Sequence, residues 1–133
     1  MALKKVFATA KQRITVIDGY ADETIYQMLS GLTLAGFHLE ILCSSRSKGR
    51  SALAAEGKKF KAQHGLGRLE VRETLDFHDR FVVVDGCECV HVGASIKDAG
   101  STAFMVSAVE DSTNRSALLQ ALTTTWANAT LVL

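Results

Sequence analysis

The sequence contains no proline, only three cysteines, and no apolar run long enough to span a bilayer. No low-complexity linker and no internal repeat divides the chain. Three cysteines cannot all pair, and the first lysines are not followed by the apolar core of a signal peptide. We therefore expect a protein of the reducing cytoplasm. The formal net charge of +1 indicates no particular class of partner.

Hydrophobic residues make up 47% of the chain, which predicts a packed globule rather than disorder. A length of 133 residues suits one domain with one core, so we expect a single domain over 1–133. That domain is either a whole small protein or a part of a larger one. Basic residues are concentrated between 44 and 61, where only Glu56 is acidic; they are Arg46, Lys48, Arg50, Lys58, Lys59 and Lys61.

Hydrophobic periodicity predicts the element order β-α-β-α-β-β-β-β-α. Strands are predicted over 14–17, 38–42, 69–72, 77–84, 88–92 and 104–109. Asp22 or Thr24 is expected to cap a first helix that runs to about Leu34 and is ended by Gly36. Helices are also predicted over 48–63, capped by Ser44 or Ser45 and stopped by Gly65, and over 113–128. Leu118, Leu119, Leu122 and Trp126 share one face of the closing helix. The fold class is therefore α/β, a mixed sheet flanked by helices and parallel in its early part.

The most informative segment runs from His78 through Arg80 to Asp85. Because side chains alternate along a strand, His78 and Arg80 point the same way, while Asp85 points to the other face. A histidine can act as a nucleophile or general acid near neutral pH. An arginine beside it can hold a phosphate oxygen through its planar fork. Asp85 is interpreted as a structural acceptor at the turn.

This segment resembles the phospholipase D superfamily, which carries His-x-Lys, four residues, Asp, and then a Gly-Ser-x-Asn segment. Here His78, Arg80 and Asp85 match in spacing, and Gly93-Ala94-Ser95-Ile96 stands where the small-residue segment is expected. The resemblance extends over most of the chain and is strongest to compact bacterial half-units of the superfamily. It implies a phospholipase D-like fold, with His78, Arg80 and Asp85 as the catalytic set.

The chain departs from the family pattern at two positions. Arg80 replaces the phosphate-binding lysine, and Ile96 replaces an asparagine, so Ser95 and Lys97 are the polar neighbours that substitute for it. Family enzymes also use two histidine motifs that face each other, and only one is found here. The resemblance therefore implies that a working site needs a second copy of the chain, in a twofold dimer. It implies catalysis by histidine, with no metal and no cofactor.

Two further groups of residues are candidates for binding. The loop after the first strand contains Asp18, Tyr20 and Asp22, and the basic segment begins with Arg46 and Lys48 after the second strand. Carboxyl ends of parallel strands carry the ligand sites of open α/β sheets. We therefore expect Tyr20, Asp22, Arg46 and Lys48 to bind substrate; the alternatives are an ordinary turn and a solvated helix face.

Cys87, Cys89 and His91 share one face of a strand and suggest a zinc site. Residues two apart on a strand lie roughly 6.5 Å from each other, whereas each thiolate must reach within ~2.3 Å of zinc. Three such positions do not easily converge on one ion. Buried cysteines beside a surface histidine are the preferred interpretation.

Three functions remain open at this point. The first is a phosphodiesterase, foremost a metal-independent nuclease whose site is shared across a homodimer. The second is a catalytically inactive module that binds nucleic acid, a nucleotide or a partner domain. The third is a structural dimerisation domain of a larger protein. A lipid substrate is disfavoured because the chain lacks an amphipathic membrane-binding stretch.

Overall fold

The computed structural model describes residues 3–75, 80–93 and 106–132. Its helices are α1 (Leu3–Ala8), α2 (Thr24–Leu29), α3 (Arg50–His64) and α4 (Ser112–Asn128). Its strands are β1 (Arg13–Ile17), β2 (His38–Ser44), β3 (Arg68–Thr74), β4 (Arg80–Val84), β5 (Glu88–Val92), β6 (Val106–Ala108) and β7 (Thr130–Leu131). None of the helices within these ranges is long and apolar enough to cross a membrane.

Over the described ranges, seven strands form one mixed sheet in the order β6-β5-β4-β1-β2-β3-β7. Strands β1, β2 and β3 are parallel, and every other neighbouring pair is antiparallel. The predicted α/β class and the parallel early part are thus confirmed. The predicted order is also found, with α1 added before it and β7 after it. These two elements were missed because six and two residues are too few to show a hydrophobic period.

The larger core lies on the face of the sheet that α1, α2 and α3 cover. Val16, Ile41 and Val71 from the three parallel strands are fully buried there, together with Ile25 of α2 and Leu53 of α3. Branched side chains such as these suit parallel strands, which are covered on both faces. This packing fixes where the carboxyl ends of the parallel strands lie.

Helix α4 covers the other face through a smaller core. Ile17, Leu42, Val83 and Cys89 of the sheet are buried against it. The predicted apolar face of this helix is confirmed, since the side chains that pack on this core include Leu118, Leu119, Leu122 and Trp126. Asp111 is the N-cap of this helix, and its carboxylate accepts the backbone N–H of Asn114 at 2.8 Å.

The β4–β5 hairpin confirms both the predicted alternation and the predicted turn. Val82 and Val84 belong to the larger core, whereas Phe81 and Val83 belong to the smaller one. Asp85 has φ of 53° and is followed by Gly86 at 69°. The backbone N–H of Cys87 donates to Val84 at 3.1 Å and closes a tight turn around these two residues, where Asp-Gly is a favoured pair for positive φ.

Two predicted helix boundaries were wrong. Helix α2 ends at Leu29 rather than near Leu34, because the Ser30 hydroxyl donates to the Gln27 carbonyl and Gly31 follows. Ser44 and Ser45 do not cap α3, whose N-cap is Gly49. Ser44 instead accepts the backbone N–H of Arg46 within the preceding loop. The predicted stop at Gly65 is confirmed by its φ of 66°.

Candidate functional site

The loops that follow the three parallel strands are joined at one edge of the sheet. The backbone N–H of Asp18 donates to Leu42 at 3.0 Å, that of Ser44 to Gly19 at 3.4 Å, and that of Ser45 to Thr74 at 3.0 Å. These bonds extend the sheet ladder past the ends of the strands. The edge is therefore a rigid base on which side chains from three loops are held together.

Arg80 reaches the same edge because β4 runs antiparallel to β1. Phe81 pairs with Ile17, which puts Arg80 beside Asp18. The Nε atom of Arg80 lies 3.8 Å from Asp18 Oδ1, and its guanidinium carbon lies 5.8 Å from the centre of the Tyr20 ring. Arg80 is therefore positioned by a carboxylate and an aromatic face.

Asp18 is fully buried, whereas the side chain of Arg80 remains 33% exposed. A buried carboxylate needs partners, and Asp18 Oδ1 also accepts the backbone N–H of Tyr20 at 2.9 Å. The guanidinium carries five N–H donors in a planar fork. Contact through Nε orients the group while its exposed part can meet an anion from solvent.

A groove of about 840 Å³ is lined by Tyr20, the residue whose ring Arg80 contacts. Its lining comes from the loops after β1, β2 and β3 and from the start of α3: Gly19, Tyr20, Asp22, Glu23, Ser44, Arg46, Ser47, Lys48, Gly49, Ala52 and Leu75. Four predicted binding residues, Tyr20, Asp22, Arg46 and Lys48, thus line one groove. The volume falls within the range of roughly 300–1,000 Å³ that is common for ligand pockets.

Two contacts shape the floor of the groove. Asp22 Oδ1 accepts both the backbone N–H of Thr24 at 3.0 Å and its hydroxyl at 2.7 Å, which fixes the turn into α2. A Cβ atom at Gly49 would lie 2.9 Å from both the carbonyl oxygen of Ala21 and the Cβ of Asp22. Glycine therefore lets the start of α3 approach the β1 loop.

The structure divides the basic segment into two parts. Arg46 and Lys48 line the groove. Arg50 instead bonds Glu73 at 2.6 Å, and Lys59 lies 3.4 Å from Glu56 along α3. Only the loop part of the basic segment therefore faces the groove, among the residues described.

Asp85 lies at the opposite end of β4 from Arg80. Its carboxylate accepts the backbone N–H groups of Lys11, Gln12 and Arg13, at 3.0, 2.8 and 2.9 Å. The bond from Arg13, supported by the other two, holds the pKa of Asp85 below its ordinary value. Asp85 therefore does not lie near Arg80, although both belong to the motif. Its contacts are those of the structural acceptor that was expected at the turn.

His78, Ser95 and Lys97 lie outside the described residues. Their proposed roles stay predictions from the sequence. Of the residues in the suggested zinc group, Cys89 is buried in the smaller core, and burial raises the pKa of its thiol to about 11. Cys87 is exposed, and His91 packs against Phe81 with ring centres 5.3 Å apart.

Sequence reasoning assigned no role to Asp18 beyond that of a neighbour, and it missed Leu75 and Gly49. The signal for Asp18 was present, because an acid that ends a β-branched strand lies at the carboxyl edge. Its contact with Arg80, 62 positions later, had no local signal.

No protein-family model matches the sequence, and no curated protein sequence matches it. Solved structures do match. Nuc from Salmonella typhimurium, a phospholipase D family member, aligns with 18% identity and a TM-score of 0.64 over 96% of this chain and 86% of its own. NucT from Helicobacter pylori aligns with 10% identity and a TM-score of 0.64 over 97% of this chain and 87% of its own.

A third match is TrmBL2, an archaeal chromatin protein with a novel mode of DNA binding. It aligns with 17% identity and a TM-score of 0.63 over 96% of this chain. This chain spans only 47% of the length of TrmBL2. At these identities the likeness establishes the fold. The chain therefore has a phospholipase D-like fold, as the resemblance of its sequence predicted.

Proposed function

We propose that this chain is a phosphodiesterase that acts on nucleic acid, with a histidine-based site completed by a second copy. The observation that carries the proposal is the contact of Arg80 with Asp18 and with Tyr20, which itself lines a groove together with Arg46 and Lys48. A cation at the carboxyl edge of a phospholipase D-like sheet, with two more basic side chains on one side of the neighbouring groove, is suited to a phosphodiester.

In the proposed reaction, His78 of one copy attacks phosphorus, and a nitrogen–phosphorus bond forms as the bond to the leaving oxygen breaks. His78 of the second copy donates its proton to that oxygen. It then removes a proton from the water that displaces the phosphoryl group from the first histidine. Arg80 binds a non-bridging phosphate oxygen, and no metal ion takes part.

Hydrolysis of DNA and of a bis-aryl phosphate dye by the intact chain, with and without EDTA, tests this proposal. We expect activity that survives the chelator and falls at least about 100-fold in His78→Ala, with an unchanged circular dichroism spectrum. His38→Ala is the matched control, since His38 is exposed at the start of β2, the other end of the sheet. Activity that EDTA removes and a divalent metal restores would contradict the histidine mechanism.

The shared site has its own test. Excess His78→Ala protein, mixed with the native chain under conditions of subunit exchange, should lower native activity because mixed dimers hold one histidine. Native activity unchanged by the excess variant, with exchange demonstrated, would contradict a shared site.

A binding module without catalysis is the second candidate. Two departures from the family pattern favour it: Arg80 stands where the family has lysine, and Ile96 where it has asparagine. DNA binding that Arg80→Ala weakens, without hydrolysis under any condition, would select this candidate.

A further inference from the structure

The groove beside Arg80 has an apolar part as well as a basic part. Among the described residues, three large hydrophobic side chains are exposed: Tyr20 at 60%, Leu75 at 66% and Leu131 at 59%. Two of them, Tyr20 and Leu75, line this groove. Single exposed apolar residues are ordinary, but two in one groove indicate a ligand with apolar surface of its own.

The charges in the groove are unevenly placed. Arg46 and Lys48 lie on the loop between β2 and α3, whereas Asp22 and Glu23 lie on the loop after β1, close to Tyr20. A phosphate backbone is attracted to the first loop and repelled by the second. The Tyr20 side of the groove therefore favours an uncharged, planar part of the ligand, with Arg80 next to the ring as the local cation.

We propose that the groove binds single-stranded nucleic acid, with an unpaired base stacked on the Tyr20 ring and contacting Leu75. The phosphates on either side of that base lie towards Arg46, Lys48 and Arg80. In a duplex the faces of the bases are covered by their neighbours, so an exposed tyrosine has no face to stack on. This inference rests on the proposed function and names its substrate class.

The test is fluorescence anisotropy with a labelled thymidine oligonucleotide, alone and annealed to its complement. It is performed in the His78→Ala chain so that no strand is cut. We expect the single strand to bind at least about tenfold more tightly than the duplex. Tyr20→Ala should lose about tenfold or more of the single-strand affinity and little of the duplex affinity. Tyr20→Phe keeps the ring and should bind as the unsubstituted chain does.

Leu75 and Leu131 provide a matched pair of controls, because they are the same residue type with similar exposure and only Leu75 lines the groove. Leu75→Ala should weaken single-strand binding several-fold, and Leu131→Ala should leave it unchanged. Equal effects of the two leucine changes would overturn the assignment of the groove.

The results separate this inference from the function on which it rests. One set of results would overturn the single-strand proposal and leave the phosphodiester site standing. In that set the chain binds single strand and duplex equally tightly, Tyr20→Ala leaves the DNA affinity unchanged, and Arg80→Ala lowers it. Absence of binding to either form would instead contradict the proposed function.

Discussion

The two ends of the β1–β4 pair each hold an aspartate, in opposite environments. Asp18 is fully buried and lies 3.8 Å from Arg80, whereas Asp85 sits in the hairpin turn and accepts three backbone N–H groups. Arg80 and Asp85 are five residues apart on one strand, which covers roughly 17 Å. One sequence motif therefore contributes Arg80 to a candidate binding site at one end of β4 and Asp85 to a structural turn at the other.

The largest expected difference between the two ends is in ligand binding and turnover. Arg80→Ala should lower hydrolysis by about 100-fold or more and weaken binding of phosphate or sulfate, because it removes the oriented guanidinium. Arg80→Lys recreates the family's pair and should restore or raise turnover. Initial rates and anion titrations measure these effects. Anion affinity that Arg80→Ala leaves unchanged would remove Arg80 from the site.

The second difference is in stability. Asp85→Ala removes the acceptor of three N–H groups and places alanine at positive φ, so we expect a loss of about 1–3 kcal/mol in the free energy of unfolding. Turnover per folded molecule should stay near that of the native chain. Urea unfolding and initial rates, measured on the same samples, check both statements. A large loss of turnover without loss of stability would place Asp85 in the reaction.

The third difference concerns salt. Removing one cation that binds a DNA phosphate should make the plot of log affinity against log salt concentration shallower by roughly 0.9. Arg46→Ala combined with Lys48→Ala should therefore flatten the slope by up to about 1.8, with several-fold weaker binding. Lys58→Ala combined with Lys61→Ala removes the same charge further along α3, where we expect a smaller change. Binding isotherms at several salt concentrations that are identical for the native chain and the Arg46→Ala, Lys48→Ala variant would leave the segment as a solvated surface.

The smallest expected effect is on the pH dependence of folding. Because its N–H partners favour the ionised form, Asp85 has a folded pKa below its unfolded value of about 3.9. Its contribution is present above that value and is lost as pH falls through the lower, folded pKa. The stability gap between the native chain and Asp85→Asn should therefore narrow between neutral pH and strongly acidic pH. Urea titrations at several pH values measure this difference in the free energy of unfolding. A difference that stays constant with pH would contradict a contribution from the charge of Asp85.

Much of the local structure followed from local signals. The Asp85-Gly86 turn, the stop at Gly65 and the apolar face of α4 were all predicted, because each depends on neighbours within a few residues. The N-cap of α3 was predicted wrongly, because Gly49 is required by its close approach to the loop after β1 rather than by any local pattern.

The sequence by itself determined the α/β class, the order of most elements and the residue types of the proposed phosphate-binding motif. Only the tertiary structure decided that Asp18 and Tyr20 meet Arg80, that Leu75 joins Tyr20 in one groove, and that Asp85 lies away from both. The reason is physical. Periodicity and caps report interactions between residues close in the chain, whereas the order and direction of strands depend on long-range pairing. The antiparallel pairing of β4 with β1 is the step that brings residues 62 positions apart into contact.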